Sequence, residues 1–242
     1  MPTEQIGSKR EEQFAFYMDL LGHDLLNNNQ AVMSYLELLL ASPSIDSAAR
    51  RYAEKAISHV KTSTLLTENT KRLMATRNAE PEAFRPVDIC EAVQRAASSV
   101  QRFFPGKNIK FSLTPDNIKA NVLGNSFAVD LIMNVLVSAI RLDRGETSEL
   151  VATLAEVTYK EKKCWRLRIE DTNSELPPFL RRDEIEAVYD QDISLAVKTT
   201  GLLFAKMIAV NLGGNFEIER LGGRQGKEGA AFIVTLRKVE KV

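Results

Sequence analysis

Apolar side chains recur at three- and four-residue steps from about Glu11 to Ala41, with polar residues between them. They are Phe14, Tyr17, Leu21, Leu25, Val32, Tyr35 and Leu39. This spacing predicts one amphipathic helix, roughly 45 Å long. A helix of that length is unusual in a globular core and ordinary in a coiled-coil-like hairpin.

The segment Ser42-Pro43-Ser44 ends this pattern, because a proline keeps the preceding residue out of helical conformation. A second helix is predicted to begin near Asp46 or Ser47, either of which is a suitable N-cap, and to continue to about Arg77. Its apolar positions are Tyr52, Ala56, Ile57, Val60, Leu66 and Leu73. Two antiparallel helices alone cannot bury these apolar faces. We therefore expect a homodimer in which two hairpins form a four-helix bundle.

The pattern changes at 78–86, a segment with two prolines and few apolar residues that we interpret as a linker. Shorter segments follow, with helices predicted at Asp88–Arg102, Ser126–Leu142 and Gly201–Leu212, and strands at Ile109–Leu113, Val151–Tyr159, Trp165–Glu170, Asn215–Arg220 and Ala230–Leu236. Gly213-Gly214 is suited to end a helix in a left-handed cap. The predicted architecture is α + α/β. A helical hairpin domain over 1–80 precedes an α/β sandwich over 87–242, with a mixed sheet on one side and helices on the other.

Composition fits a soluble globular chain, with 44% hydrophobic and 26% charged residues. The 32 basic and 32 acidic residues balance, so no global charge indicates a nucleic-acid or membrane partner. The longest apolar stretch, around Phe127–Ile140, is too short and too polar to span a bilayer, and the N-terminus lacks a signal-peptide core. We interpret Cys90 and Cys164 as reduced, half-buried thiols. The predicted location is cytoplasmic.

The chemically most informative segment is Phe16–Leu39, where four side-chain amides, Asn27 to Gln30, stand in the middle of the first helix. Asparagine is a poor helix former because its amide competes for backbone hydrogen bonds, so some requirement other than helix propensity keeps the cluster. His23 and Asn27 are four residues apart and share a helix face, with Asp24 beside them. Together they supply an imidazole nucleophile, a carboxylate that can hold its tautomer and accept a proton, and an amide that can orient a phosphoryl group or water.

On residue types alone two interpretations stay open, because His23 is also an ordinary surface histidine if the amides form a polar layer of a bundle. The strings HDLLNNNQ and YLELL resemble the H-box of sensor histidine kinases and are similar to the archaeal, methanogen-type members. The resemblance implies that His23 accepts a phosphoryl group. It also implies that Asp24 is base and orienter and that Asn27 assists transfer or dephosphorylation. His59 has no acidic neighbour of that kind, and we interpret it as structural.

The second domain resembles the GHKL-type ATP-binding domain of the same kinases. The family's N-box has two asparagines four residues apart, the second holding Mg²⁺, followed by a phosphate-binding lysine. The segment DLIMNVLVSAIRL has Asn134 at the first place, Ser138 at the second and Arg141 at the lysine position. The resemblance implies that Asn134 and Arg141 would contact ATP, and that Ser138 together with Asn134 would contact Mg²⁺. Serine is a weaker ligand for that ion, and arginine lacks the compact ammonium of lysine.

The family's adenine-binding motif, Asp-x-Gly-x-Gly, is represented by EDTNSELPP. Asp171 remains, the residue that the family uses for adenine, but Asn173 and Glu175 replace both glycines. Side chains at these two positions would crowd a nucleotide, and the glutamate would add a negative charge beside it.

The glycine-rich lid of the family is represented by KTTGLLFAK. Gly201 remains as a residue that would contact ATP, while Thr199 and Leu203 occupy other usual glycine or small positions. Glycines there supply bare amides for the phosphates. We therefore expect no cofactor, and ATP with Mg²⁺ only if the altered site still works.

The leading prediction is a two-component signalling protein, a histidine phosphotransferase that passes phosphate through His23 to or from a response-regulator aspartate. An ATP-dependent histidine kinase with divergent nucleotide motifs is the first alternative. A non-catalytic dimeric scaffold that only binds a receiver domain is the second. The expected partners are a response-regulator receiver domain and an upstream kinase or sensor, since fewer than about fifteen residues precede the first helix, too few for a sensor domain.

Overall fold

In a computed structural model, the chain forms two compact units, residues 1–80 and 81–242. The structure describes residues 2–77, 84–125, 127–174, 176, 193–222 and 229–239, with the backbone alone for 2–15, 72–77 and 193–198. The predicted linker residues 78–83, Ser126 and Glu175 lie outside these ranges. Within them, no helix is long and apolar enough to cross a membrane.

The first unit is a helical hairpin of α1 (Pro2–Ala41) and α2 (Ser47–Arg77). Asp46 is the N-cap of α2, because its Oδ1 accepts hydrogen bonds from the backbone amides of Ala48 at 2.8 Å and Ala49 at 2.7 Å. The predicted break between the helices and the predicted extent of α2 are confirmed. The prediction for α1 was wrong at its start, since the first ten residues have only Met1 and Ile6 as large apolar side chains and carry no periodicity that would reveal a helix.

The predicted apolar face of α1 does not pack against α2. The less exposed positions of α1 are instead 18, 22, 26, 29, 33, 36 and 40. Among the apolar positions named above, the following side chains are exposed: Tyr17, Leu21, Leu25, Val32, Tyr35 and Leu39. On α2, Ile57 is buried whereas Tyr52 is exposed. A large apolar surface of α1 therefore remains uncovered within one hairpin.

The second unit is built on a five-stranded sheet with the order β2-β4-β5-β7-β6. Its strands are β2 (Asn108–Thr114), β4 (Thr147–Tyr159), β5 (Lys162–Asp171), β6 (Asn215–Leu221) and β7 (Gly229–Arg237). The β2–β4 pair is parallel and the other pairs are antiparallel, so the predicted mixed sheet is confirmed. A separate antiparallel pair joins β1 (Arg85–Asp88) to β3 (Asn121–Gly124).

The described residues of this unit include three α-helices, which are α3 (Ile89–Val100), α4 (Phe127–Leu142) and α5 (Ile193–Asn211). A short 3₁₀ turn, Gln101–Phe103, follows α3. The helix α4 is the most deeply buried of the three and packs between α3 and α5. In the sheet, β4 alternates buried and exposed side chains, whereas β7 is buried from Gly229 to Leu236. Helices thus cover one face, and the core lies between them and the sheet.

The remaining predictions hold for most elements and fail at three. Arg85 and Pro86 belong to β1 and not to a linker, and β3 was not predicted, because strands of four residues are too short to show alternation. The helix α5 begins at Ile193, eight residues before Gly201.

Gly213 ends the helical segment with a φ of 69°, as predicted. Cys90 and Cys164 are free thiols and fully buried, not half-buried.

Candidate functional site

The side chains of His23, Asp24 and Asn27 meet on the exposed surface of α1. Nδ1 of His23 lies 3.4 Å from Oδ1 of Asp24 and 3.2 Å from the amide nitrogen of Asn27. The side chains of His23 and Asp24 are each 66% exposed. The predicted trio is therefore assembled at one ring nitrogen, and the imidazole is open to a partner macromolecule.

The two neighbours of Nδ1 favour different tautomers of His23. Asp24 accepts only, so its contact favours a proton on Nδ1 and leaves the lone pair of Nε2 free to attack. The amide nitrogen of Asn27 donates, so its contact favours a bare Nδ1 and a proton on Nε2, which blocks attack. A half-turn of the Asn27 amide would present its oxygen to Nδ1 and make both neighbours favour the nucleophilic tautomer. Asn27 is thus positioned to control whether Nε2 is a nucleophile.

His23 lies on a face of α1 that carries exposed apolar side chains. At 100° per residue, Phe16, Leu20, His23 and Asn27 fall on one side of the helix, which we call the acceptor face. Phe16 is 65% exposed and Leu20 is 50% exposed. An apolar patch of this kind beside a polar reactive group is typical of a protein-binding surface.

A second exposed surface of α1 lies about 130° around the helix from the acceptor face. We call it the heptad face, and its members are Leu21, Leu25, Asn28, Val32, Tyr35 and Leu39. Their successive spacings are 4, 3, 4, 3 and 4 residues. This is the spacing with which helices pack in coiled coils and four-helix bundles. The amide of Asn28 is the single polar member.

The contact between α1 and α2 near His23 is close and polar. The amide of Asn29 donates to the hydroxyls of Ser63 at 3.0 Å and Thr64 at 3.3 Å. Nearer to His23, Gly22 is buried under α2. The three asparagines therefore have different surroundings. Asn27 contacts the imidazole, Asn28 lies on the heptad face and Asn29 lies between the helices.

In the second unit, Asp171 lies at the end of β5 with both carboxylate oxygens already occupied. Oδ1 accepts from the backbone amide of Asn173 at 2.8 Å, and Oδ2 accepts from the hydroxyl of Ser174 at 2.7 Å. The residue is fully buried. Burial raises the pKa of the Asp171 carboxyl, and the charge of Asp143 adds to this, while the two hydrogen bonds oppose it. Asp171 is thus engaged by the protein itself, through a serine that the motif comparison did not single out.

The predicted Mg²⁺ residues lie inside the interface between α4 and α5. Asn134 and Ser138 are each 1% exposed. The amide nitrogen of Asn134 donates to the carbonyl of Asp130 at 2.8 Å, and its Oδ1 has no partner within the described residues. Gly201 packs on both, since a Cβ there would overlap the Ser138 hydroxyl and lie 3.2 Å from the Asn134 carbonyl. Gly201 therefore allows close packing of α5 on α4, and the phosphate contact that the resemblance implied for it stays a prediction.

The lid-like segment is helical throughout. Because α5 runs from Ile193 to Asn211, the backbone amides at Thr199 and Gly201 lie inside the helix and are not at its start. Amides inside a helix bond to preceding carbonyls and are not available to phosphate. Thr199 is buried and Leu203 half-buried. Arg141 is half-buried near the end of α4, and burial lowers the pKa of its guanidinium.

Lys107 contacts the C-terminal end of α4. Lys107 donates to the carbonyls of Ile140 at 3.2 Å and Asp143 at 2.8 Å, and its ammonium lies 3.8 Å from Oδ1 of Asp143. A cation at this place satisfies carbonyls left open at the end of α4. Sequence reasoning missed this cap because Lys107 lies 33 residues from Ile140. The described residues contain no cluster of His, Cys, Asp and Glu that would hold a metal.

Comparison with known proteins gives similarity in structure alone. No protein-family model matches the chain. No curated protein matches it either. A mycobacterial sensor histidine kinase, MprB, is 20% identical over a match that covers 64% of this chain and 97% of that chain, with a TM-score of 0.50.

Two further solved structures extend this similarity. The catalytic domain of the histidine kinase ThkA is 19% identical and covers 64% of this chain and 97% of that chain, with a TM-score of 0.51. Full-length ShkA in complex with AMPPNP is 15% identical and covers 93% of this chain and 46% of that chain, with a TM-score of 0.53. At these identities the matches establish the fold. The second unit has the α+β fold with a mixed sheet that histidine kinase catalytic domains of the GHKL type share.

Proposed function

We propose that this protein is a two-component phosphotransferase that carries phosphate on Nε2 of His23 and exchanges it with the aspartate of a response-regulator receiver domain. The observation that carries the proposal is the exposed His23 imidazole with Asp24 and Asn27 both at its Nδ1. The similarity of the strings HDLLNNNQ and YLELL to archaeal, methanogen-type kinases supports the same function.

The proposed step exchanges one bond to phosphorus for another. Nε2 of His23 attacks the phosphorus of an aspartyl phosphate, the P–O bond to the aspartyl carboxylate breaks, and a P–N bond forms. The aspartate leaves as a carboxylate. Asp24 holds the Nδ1 proton during attack and stabilises the positive ring that forms. Asn27 favours the nucleophilic tautomer when its oxygen faces Nδ1. The reverse sequence returns phosphate to the receiver.

The proposed partners follow from the two exposed faces of α1. The apolar Phe16 and Leu20 on the acceptor face would contact an apolar helix of the receiver beside its reactive aspartate. The heptad face would pack against a second copy of the chain and form a four-helix bundle, with two Asn28 amides inside it. A receiver partner also implies a cytoplasmic location.

The kinase alternative is less well supported by the geometry of the second unit. Asp171 is buried and bonded to Ser174, and the N-box positions Asn134 and Ser138 lie under α5. The lid-like segment offers helical amides in place of free ones. Binding ATP with Mg²⁺ would require α5 to separate from α4, at the expense of buried packing. We therefore propose that the protein takes its phosphate from another protein and not from ATP.

The test uses the full chain and a receiver domain charged with radiolabelled acetyl phosphate. We expect acid-labile, alkali-stable label on the wild-type protein, none after His23→Gln, and normal label after the matched change His59→Gln. The melting temperature should hardly change in either variant, because both histidines are exposed. Label from ATP-Mg²⁺ without a receiver would favour the kinase. Binding of the receiver without any label would favour the scaffold.

A further inference from the structure

A lysine from α2 crosses α1 one helical turn before His23. The Lys71 ammonium lies 3.0 Å from Oδ1 of Asp19 and forms an ion pair with it. Asp19 and His23 are four residues apart on α1, so they are adjacent on its surface, with about 5–6 Å between their β-carbons. The ammonium of Lys71 is therefore held at Asp19, one helical turn from His23 on the same side of α1.

The passage of this lysine depends on a glycine. A Cβ at Gly22 would lie 2.9 Å from Cδ and 3.0 Å from Cγ of Lys71, closer than carbon atoms ordinarily approach. The aliphatic stem of Lys71 thus lies on the bare backbone of the residue that precedes His23. Only 30% of the Lys71 side chain is exposed, against 73% for Asp19. Glycine lowers the helix propensity of α1 at this position, and the Lys71 stem occupies the space that a larger side chain would fill.

Two acidic residues of α1 close to His23 are unfavourable to phosphate. Asp19 and Asp24 both lie on α1 within one turn of His23, and each repels a phosphoryl dianion. A phosphoryl group carries close to two negative charges, so it competes with the single charge of Asp19 for a nearby cation. A lysine ammonium on a flexible stem suits this exchange, since it bonds oxygen atoms from many directions.

We propose that Lys71 is a catalytic residue for phosphoryl transfer at His23, which pairs with Asp19 in the free protein and moves to the phosphoryl oxygens as they arrive. This inference rests on the proposed function, because it requires phosphate on His23. Asp19 then competes with the phosphoryl group for the ammonium, and the bare backbone of Gly22 leaves room for the Lys71 stem to cross α1.

The experiment uses phosphoramidate as a small phosphoryl donor, so that no receiver contact enters the measured rate. The P–N bond to ammonia breaks as the bond from phosphorus to Nε2 forms, and the Nδ1 proton of the ring passes to Asp24 or water. Label on His23 is followed with time by mass spectrometry, in a His59→Gln background.

We expect Lys71→Met to slow labelling about tenfold and Lys71→Arg to restore it to within about threefold. Asp19→Asn should accelerate labelling about threefold, because it frees the ammonium, and the double variant Asp19→Asn/Lys71→Met should label as slowly as Lys71→Met. A purely structural ion pair predicts the same loss from either single change. The matched control is Lys55→Met, which removes the same charge from α2 about 24 Å along the helix.

Two further measurements separate a direct role of Lys71 in phosphoryl transfer from an effect on folding. Gly22→Ala should slow labelling while leaving the melting temperature unchanged or higher, because alanine favours the helix but displaces the Lys71 stem. Added salt should slow the wild-type protein more than Lys71→Met. Label on His23 at equal rates in all variants would overturn the role of Lys71 alone. Absence of label on wild-type His23 would overturn both this role and the proposed function.

Discussion

Gly201 of α5 lies directly on Ser138 of α4, so close that a Cβ on residue 201 would overlap the serine hydroxyl. Gly201→Ala should therefore destabilise the second unit by about 1–3 kcal/mol, since the two helices must separate to admit the methyl group. Urea unfolding measures the change. Gly222→Ala is the control, because a Cβ there meets no atom of the described part of the chain within 4 Å. Equal stability of the two variants would contradict the close packing of α5 on α4.

The end of α4 is predicted to depend on Lys107. Lys107→Met removes two hydrogen bonds to backbone carbonyls and the ion pair with Asp143, and leaves buried acceptors without a donor. We expect a loss of about 2–3 kcal/mol in the free energy of unfolding. Lys110→Met breaks an ion pair with Glu149 that is exposed, and should change little. Similar losses from the two variants would show that the Lys107 contacts do not stabilise the fold.

The buried carboxyl of Asp171 is predicted to make stability depend on pH. Its pKa in the folded state is raised, mainly by burial. Protonation therefore stabilises the fold fully below the ordinary pKa of about 4, and this stabilisation is lost as pH rises through the folded pKa. Asp171→Asn resembles the protonated form at every pH. Its stability relative to wild type, measured by urea unfolding, should improve from pH 4 to pH 8. A difference that does not vary with pH would contradict the raised pKa.

The heptad face is predicted to form the dimer contact. Val32→Asp places a charge in that face, so it should raise the dimer dissociation constant at least tenfold, because two apolar contacts worth about 1.5 kcal/mol or more are lost. Light scattering over a concentration series measures the constant. Ala31→Asp makes the neighbouring change on the exposed side away from the heptad face and should leave the dimer intact. Equal dissociation constants for both variants would place the dimer contact elsewhere.

Local signals in the sequence predicted much of the fold. Asp46 begins α2 through its side chain and Gly213 ends α5 through its backbone conformation, so each is recognisable from the local sequence alone. The mixed sheet followed from strands long enough to show alternation. The short strands β1 and β3 carry no such pattern, and Pro86 at the start of β1 indicated a linker.

The candidate sites divide in the same way. His23, Asp24 and Asn27 are neighbours on one helix, so helical spacing alone brings them together. The contacts of Lys71 with Gly22 and of Gly201 with Ser138 depend on how separate helices pack, which periodicity does not determine. The sequence did indicate that the two helices alone cannot bury their apolar faces, but which side of α1 packs against α2 depends on this contact between helices and was not predicted.

The strand β7 is buried on both faces, so the sheet of the second unit is stabilised by the protein's own side chains and does not need a ligand. Its buried side chains are those of Phe232, Val234 and their apolar neighbours, and one nucleotide-motif residue, Asp171, pairs with it at Ala230. A substitution at Asn173, which is half-buried and follows β5, can therefore leave this core intact, whereas one at the buried Ser138 changes the packing of α4 against α5. A domain of this construction keeps its strand order and its core whether or not a small molecule binds beside them.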